Sequence, residues 1–123
     1  MKILVADDEE VIRSSLEAPL TKSGHDVIFA LDGEEALNKA KTSGCELLLL
    51  DLDMPKISGY DVLKQLREDG STLPVVFITG TGEIPKIIKS IAQYKLNGFI
   101  EKPFTPEEVI DIINKATKKK TGE

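Results

Sequence analysis

Two acidic pairs stand out in the chain, Asp7-Asp8 and Asp51-Leu52-Asp53, together with Thr79 and Lys102. Each follows directly on a short apolar run or one residue beyond it. If Asp7, Asp8 and Asp51 share one crevice, their charges repel, by roughly 4 kcal/mol for two unit charges about 4 Å apart at an effective dielectric of 20. A hard divalent cation relieves this. Mg²⁺ favours an octahedral oxygen shell of one or two carboxylates, several waters and a phosphate oxygen. Such a site suits phosphoryl transfer onto a carboxylate. Asp51 is then the nucleophile. Mg²⁺ and Lys102 neutralise charge spread over the phosphoryl oxygens, and the Thr79 hydroxyl bonds one of them. Taken singly, each residue has a plainer role. Asp7 and Asp8 read as a helix N-cap and its solvated neighbour, Asp53 as a loop carboxylate, Thr79 as a strand-end threonine and Lys102 as a surface lysine. The fold decides whether they meet.

The elements that must position them are legible as alternating periods. Ile3-Leu4-Val5-Ala6, Val27-Ile28-Phe29-Ala30, Leu47-Leu48-Leu49-Leu50 and Val75-Val76-Phe77-Ile78 read as strands, with Gly98-Phe99-Ile100 a weaker fifth. Continuous apolar runs predict strands buried on both faces, as in a parallel sheet. Between them the period becomes helical: Ile12, Leu16 and Leu20; Ala36, Leu37 and Ala40; Val62, Leu63 and Leu66; Ile84, Ile87, Ile88 and Ile91; Val109, Ile112, Ile113 and Ala116. Gly24, Gly44 and Gly70 stand where three helices should end. Asp32 and Ser58 are candidate N-caps, and Thr105-Pro106-Glu107-Glu108 is a capping box. Pro19 should kink or shorten the first helix.

Five strands each followed by a helix give an α/β fold, (βα)5. Right-handed crossovers then require an open, doubly wound parallel sheet. Strands one, three and four are the most apolar and should be central, with strands two and five at the edges, in the order 2-1-3-4-5. In that order strands one and three flank the switch point, and the C-terminal sheet edge gathers Asp7, Asp8 and Asp51 into one crevice.

The chain has 123 residues, 41% of them apolar, which fits one domain, residues 1–123, with a short basic tail from about 118. The formal net charge of −5 argues against binding nucleic acid directly. The single cysteine, Cys45, excludes an intramolecular disulfide and fits a reducing compartment. With no signal-like segment and no apolar run of membrane length, a soluble cytoplasmic domain is expected. His25 has no evident role, and Cys45 is expected to pack rather than react.

The sequence resembles, over nearly its whole length, the receiver domain of two-component response regulators, of the chemotaxis-regulator kind. The motifs that carry the resemblance are Asp7-Asp8, Asp51-Leu52-Asp53-Met54-Pro55, Ser58-Gly59, Thr79 and Lys102-Pro103-Phe104, in this order and spacing. The family places proline four residues after its phosphoacceptor, which selects Asp51 over Asp53. The resemblance implies a flavodoxin-like fold, a phosphoryl group received from a histidine kinase or phosphotransfer protein, and a switch in binding to an effector or a fused output domain. It further implies that Asp8 and Asp51 ligate Mg²⁺ directly, Asp7 largely through water and Asp53 through its backbone carbonyl. Phe99 falls at the family's switch aromatic position, although it reads equally as edge-strand core. A phosphorylation-dependent dimer through the fourth helix, fifth strand and fifth helix is also implied. As a signalling domain it would catalyse only its own phosphotransfer and dephosphorylation. Three positions depart from the pattern: Gly80 with Thr81-Gly82 after it, Lys95 where glycine is usual, and Pro19.

Two other functions fit parts of the sequence. Leu50-Asp51-Leu52-Asp53 in isolation resembles the nucleophile motif of haloacid-dehalogenase-type phosphatases. That motif should end the first strand, however, and here Pro55 stands where threonine or valine is usual. A receiver fold that no longer accepts phosphate and acts as a scaffold is the third, against which the intact acceptor set argues.

Overall fold

The computed structural model describes residues 1–80 and 91–117. Five parallel strands, β1 (Lys2–Ala6), β2 (Asp26–Ala30), β3 (Leu47–Asp51), β4 (Val75–Thr79) and β5 (Gly98–Glu101), form one sheet in the order β2-β1-β3-β4-β5. Among the described residues the helices are α1 (Glu10–Lys22), α2 (Gly33–Thr42), α3 (Gly59–Glu68) and α4 (Pro106–Thr117), with a 3₁₀ turn over Ala92–Tyr94. α4 is the fifth helix expected from the sequence. The fourth, built around Ile84, Ile87 and Ile88, lies outside the described residues, as do Thr81-Gly82 and the basic tail. Ile91, the last residue of that pattern, is buried in the core.

The alternation of strand side chains makes two cores. Leu4, Leu48, Leu50, Val75 and Phe77 pack with Ala36 of α2 and Val62, Leu63 and Leu66 of α3. Ile3, Val5, Leu47, Leu49, Val76 and Ile78 pack on the other face with Leu16 and Leu20 of α1 and Val109 and Ile113 of α4. A central strand that must cover both faces needs apolar residues at every position, which is why β3 and β4 are buried throughout. β2 and β5 are the edges.

Helix ends follow local chemistry. Gly24, Gly44 and Gly70 all have positive φ, one residue past the C-caps Ser23, Ser43 and Asp69. Asp32 accepts a hydrogen bond from Glu35 N at 2.8 Å, and Ser58 Oγ accepts from Asp61 N at 3.2 Å. The Thr105–Glu108 box closes in both directions, at 3.1 and 2.8 Å. Pro19 does not shorten the first helix: α1 continues through it to Lys22. The hydrogen bond it forfeits is to Ser15, an exposed residue whose carbonyl can face solvent, while the Pro19 carbonyl still accepts from Ser23 N at 3.1 Å. Lys95 stands in the left-handed conformation, φ 55°, which explains why glycine suits that position.

Candidate functional site

β1 and β3 are neighbours in register, Ala6 beside Leu50, so Asp7 and Asp51 leave the sheet edge side by side. Both are buried. Asp7, Asp8 and Asp51 each offer a carboxylate oxygen within 4.8 Å of the others. Asp8 is the exposed member of the three. The turn after β1 is shaped by Asp7 itself, whose Oδ1 accepts from Glu9 N at 2.9 Å. Glu9, not Asp7 or Asp8, occupies the N-cap of α1, and its side chain makes no cap hydrogen bond. The N-cap role that Asp7 or Asp8 would have in isolation is therefore not the one they play.

Lys102 follows β5 and reaches across to this group. Its Nζ lies 3.2 Å from Glu9 Oε1, 3.7 Å from Asp7 Oδ2 and 3.8 Å from Asp51 Oδ1. Its backbone N–H donates to the Thr79 carbonyl at 2.8 Å. Thr79 ends β4, one residue past Ile78, the register partner of Asp51. The Thr79 hydroxyl is buried and, among the described residues, has no hydrogen-bond partner; the same holds for Asp7 Oδ2. Buried polar atoms without partners are rare and mark places where a ligand or a second state completes the bonding.

Electrostatics follow from this crowding. Burial, then the charge of Asp7, pushes Asp51 up to about 7, while Lys102 and the Asp53 N–H pull the other way. Burial likewise raises Asp7. Burial alone would lower Lys102, but the charges of Asp51 and Asp7 together with the contact to Glu9 outweigh it and its pKa is raised. Among the described residues, this buried acidic pair has one ammonium beside it, that of Lys102.

The loop from β3 to α3 carries Asp53, which is exposed and whose N–H donates to Asp51 Oδ1 at 3.2 Å. Gly59, first residue of α3, donates to the Leu52 carbonyl at 2.9 Å. A Cβ on Gly59 would lie 2.3 Å from the Asp51 carbonyl oxygen, so Ser58-Gly59 lets α3 start against the strand end. Phe99 is 41% exposed on the edge strand, which corrects its reading as core. Two contributors carry little signal in the sequence: Glu9, bonded to Lys102, and Arg13, whose Nη1 donates to the Asp7 carbonyl at 2.7 Å. Glu9 is marked only by adjoining the Asp pair; nothing in the spacing points to Arg13. His25 meets the terminal amine of Met1 at 3.0 Å through Nδ1, far from this edge in the strand direction. Cys45 is half-buried against the core, as expected.

The sequence model of one protein family, "Response regulator receiver domain", matches residues 3–114. The chain belongs to this family. As a receiver domain of two-component signalling, it is 43% identical over 109 residues to the alkaline phosphatase synthesis transcriptional regulatory protein PhoP of Bacillus subtilis, covering 88% of this chain and 45% of that protein. It is 35% identical over 116 residues to the response regulator protein TodT of Pseudomonas putida, covering 94% and 51%. The receiver domain thus spans about half the length of the curated relatives it matches. Among solved structures, it resembles the chemotaxis protein CheY4 of Vibrio cholerae (TM-score 0.85, 27% identity, 94% of this chain and 97% of that one). It is also similar to the receiver domain of the Francisella response regulator 1452 (TM-score 0.84, 27% identity, 95% and 97%). The phosphatase alternative does not survive: the Asp51-Leu52-Asp53 motif ends the third strand, and the family match covers it.

Proposed function

We propose that Asp51 accepts a phosphoryl group from a phosphohistidine of a sensor histidine kinase or phosphotransfer protein. The observation that carries this reading is a buried carboxylate at the end of β3 with the Asp7 and Asp8 carboxylates within 4.8 Å and the Lys102 ammonium 3.8 Å away. Asp51 Oδ1 accepts a hydrogen bond from the Asp53 N–H at 3.2 Å, and we assign the attack to Oδ2. Its bond to phosphorus forms as the histidine N–P bond breaks, and the departing imidazole takes up a proton. Water later cleaves the acyl phosphate, returning the carboxylate and inorganic phosphate. These are the only reactions ascribed to the domain. Lys102, already beside Asp51, would pair with a phosphoryl oxygen, and the Thr79 hydroxyl, without a hydrogen-bond partner among the described residues, would bond another.

The residues fit a Mg²⁺ ion. The donor set is all oxygen, Asp7 Oδ2 is buried without a hydrogen bond among the described residues, and the three carboxylates need a counter-charge. Asp8 and Asp51 would hold the ion directly, Asp7 through water and Asp53 through its backbone carbonyl. Bound there, Mg²⁺ supplies charge that keeps the carboxylates ionised and offsets that of the transferred group.

Downstream, the phosphorylated form binds an effector protein or a fused output domain, or pairs with a second copy through the side of β5 and α4. Phe99 and Thr79 carry the switch. The acidic domain does not itself bind nucleic acid, and it works in the cytoplasm. The lone thiol supports that placement, and no helix among the described residues is long and apolar enough to cross a membrane.

The test is incubation with acetyl phosphate and Mg²⁺, followed by intact mass. One phosphate should add to the wild type and none to Asp51→Asn. Label persisting in Asp51→Asn, or lost only in Asp53→Asn, overturns the assignment; no label on the wild type favours a scaffold instead.

A further inference from the structure

Gly33 opens α2 with an ordinary helical-side backbone, unlike the positive-φ glycines at helix ends. Its conformation does not require glycine, and alanine would favour the helix. What requires it is space. A Cβ on Gly33 would lie 1.8 Å from the Ile57 carbonyl oxygen, 2.6 Å from its carbon and 2.8 Å from the Ile57 Cβ. Two of those atoms are backbone, so no rotamer change relieves the overlap. The loop from β3 to α3 is therefore pressed directly against the first turn of α2. Three further contacts fasten it there: the Gly33 N–H donates to the Pro55 carbonyl at 3.2 Å, and Lys56 Nζ lies 3.5 Å from both Asp32 Oδ2 and Glu34 Oε1. Lys56 itself is held at φ 72°, a left-handed conformation uncommon for lysine.

The other end of this loop holds the acceptor. Asp53 donates its N–H to Asp51 Oδ1 at 3.2 Å, and Leu52 is pinned by Gly59 N and by the Ile78 carbonyl. We infer that Gly33 is a positioning residue for Asp51: by admitting the Ile57 backbone into the space of a Cβ, it seats the loop that orients the acceptor carboxylate. The inference rests on the reading of Asp51 as phosphoacceptor. It assigns α2, which contributes no side chain to the Asp7–Asp8–Asp51 cluster, a part in the chemistry.

The experiment compares the wild-type chain with Gly33→Ala, Ala40→Gly and Lys56→Gln. Mg²⁺ affinity is read from amide NMR shifts, the initial rate of phosphorylation by acetyl phosphate from intact mass, and Tm from thermal melts. Ala40→Gly, seven residues along α2 from Gly33, weakens the same helix and controls for lost helix stability. Gly33→Ala should weaken Mg²⁺ binding by about tenfold or more and slow phosphorylation in step, the scale seen when groups supporting metal ligands are removed. Ala40→Gly should lower Tm and leave both unchanged. Gly33→Ala within about twofold of wild type, or Ala40→Gly losing as much, overturns the inference. If the amide spectrum shows Gly33→Ala unfolded, Lys56→Gln decides: it should bind Mg²⁺ about two- to threefold more weakly, as loss of an exposed ion pair allows, and unchanged binding overturns the inference. A wild type that takes no phosphate overturns the acceptor reading and this inference with it. A labelled wild type matched by Gly33→Ala overturns this inference alone.

Discussion

At the scale of single residues, Asp51 is an acid held above its ordinary range because it leaves water beside another buried carboxylate. Its ordinary pKa of 3.8 is pushed to about 7. Between these values the unfolded chain has released a proton that the folded chain keeps, so stability falls as pH rises through this window and is lowest above it. Asp51→Asn removes the burden. In chelator, Asp51→Asn should be more stable than wild type at pH 8, by on the order of 2 kcal/mol. The gain should shrink as pH falls through about 7 toward 4. Millimolar Mg²⁺ should narrow the gap at pH 8 by stabilising the wild type. Thermal melts at three pH values check this, and a gain that does not change with pH contradicts the assigned cause.

At the scale of elements, the termini of helices were set by residues written in the sequence, but the anchoring of β5 was not. Arg67 of α3 donates from Nε to the Tyr94 carbonyl at 2.7 Å, and from Nη2 to the Lys95 carbonyl at 2.9 Å and to Asn97 Oδ1 at 3.3 Å. Asn97 Oδ1 in turn accepts from Val75 N at 2.9 Å. Tyr60 and Tyr94 meet edge to face, centroids 6.0 Å apart, beside the same turn. One guanidinium thereby ties α3 to the turn that launches β5, the strand leading to Lys102. Arg67→Ala should destabilise the domain by about 2 kcal/mol, because the half-buried carbonyls of Tyr94 and Ser71 lose a charged donor. Arg67→Lys should recover less than half, since an ammonium cannot span the fork. Urea denaturation checks both. Full recovery by lysine would mean that charge, not the fork geometry, is what matters.

At the scale of the whole molecule, the site and the outer edge of the sheet are joined through backbone. The Thr79 carbonyl takes the Lys102 N–H, and Thr79 lies in register with Glu101 on β5, two residues from the exposed Phe99. A phosphoryl group on Asp51 adds charge and acceptor oxygens where the buried Thr79 hydroxyl lacks a partner among the described residues. Drawing Thr79 toward it should shift β5 and open space for Phe99 to turn inward. Moving such an equilibrium from 1:99 to 99:1 takes about 5.5 kcal/mol of differential interaction. Thr79→Ala should therefore still accept phosphate, but its amide shifts around Phe99 and α4 on phosphorylation should be less than half those of wild type. Equal shifts in both proteins would show that Thr79 does not couple the acceptor to that edge.

What the sequence determined by itself is what short-range chemistry determines. The apolar runs of β3 and β4 marked strands covered on both faces, so the order of the sheet followed from which runs were most apolar. Asp32, Ser58 and Thr105 announced helix starts, and Gly24, Gly44 and Gly70 announced ends, because those side chains or their absence act on backbone within a few residues. Once the sheet order placed β1 beside β3, Asp7, Asp8 and Asp51 had to converge. The tertiary structure alone decided what depends on the distance between segments remote in the chain. It exposed Phe99 on the edge strand, brought Lys102 to Glu9 as well as to the aspartates, and placed Arg13 on the Asp7 carbonyl. It also showed that Gly33 is small because Ile57 occupies the space, a constraint no periodicity records. Pro19 completes the contrast: its propensity to break α1 is local, and the buried contacts of Leu16 and Leu20 on either side outweigh it.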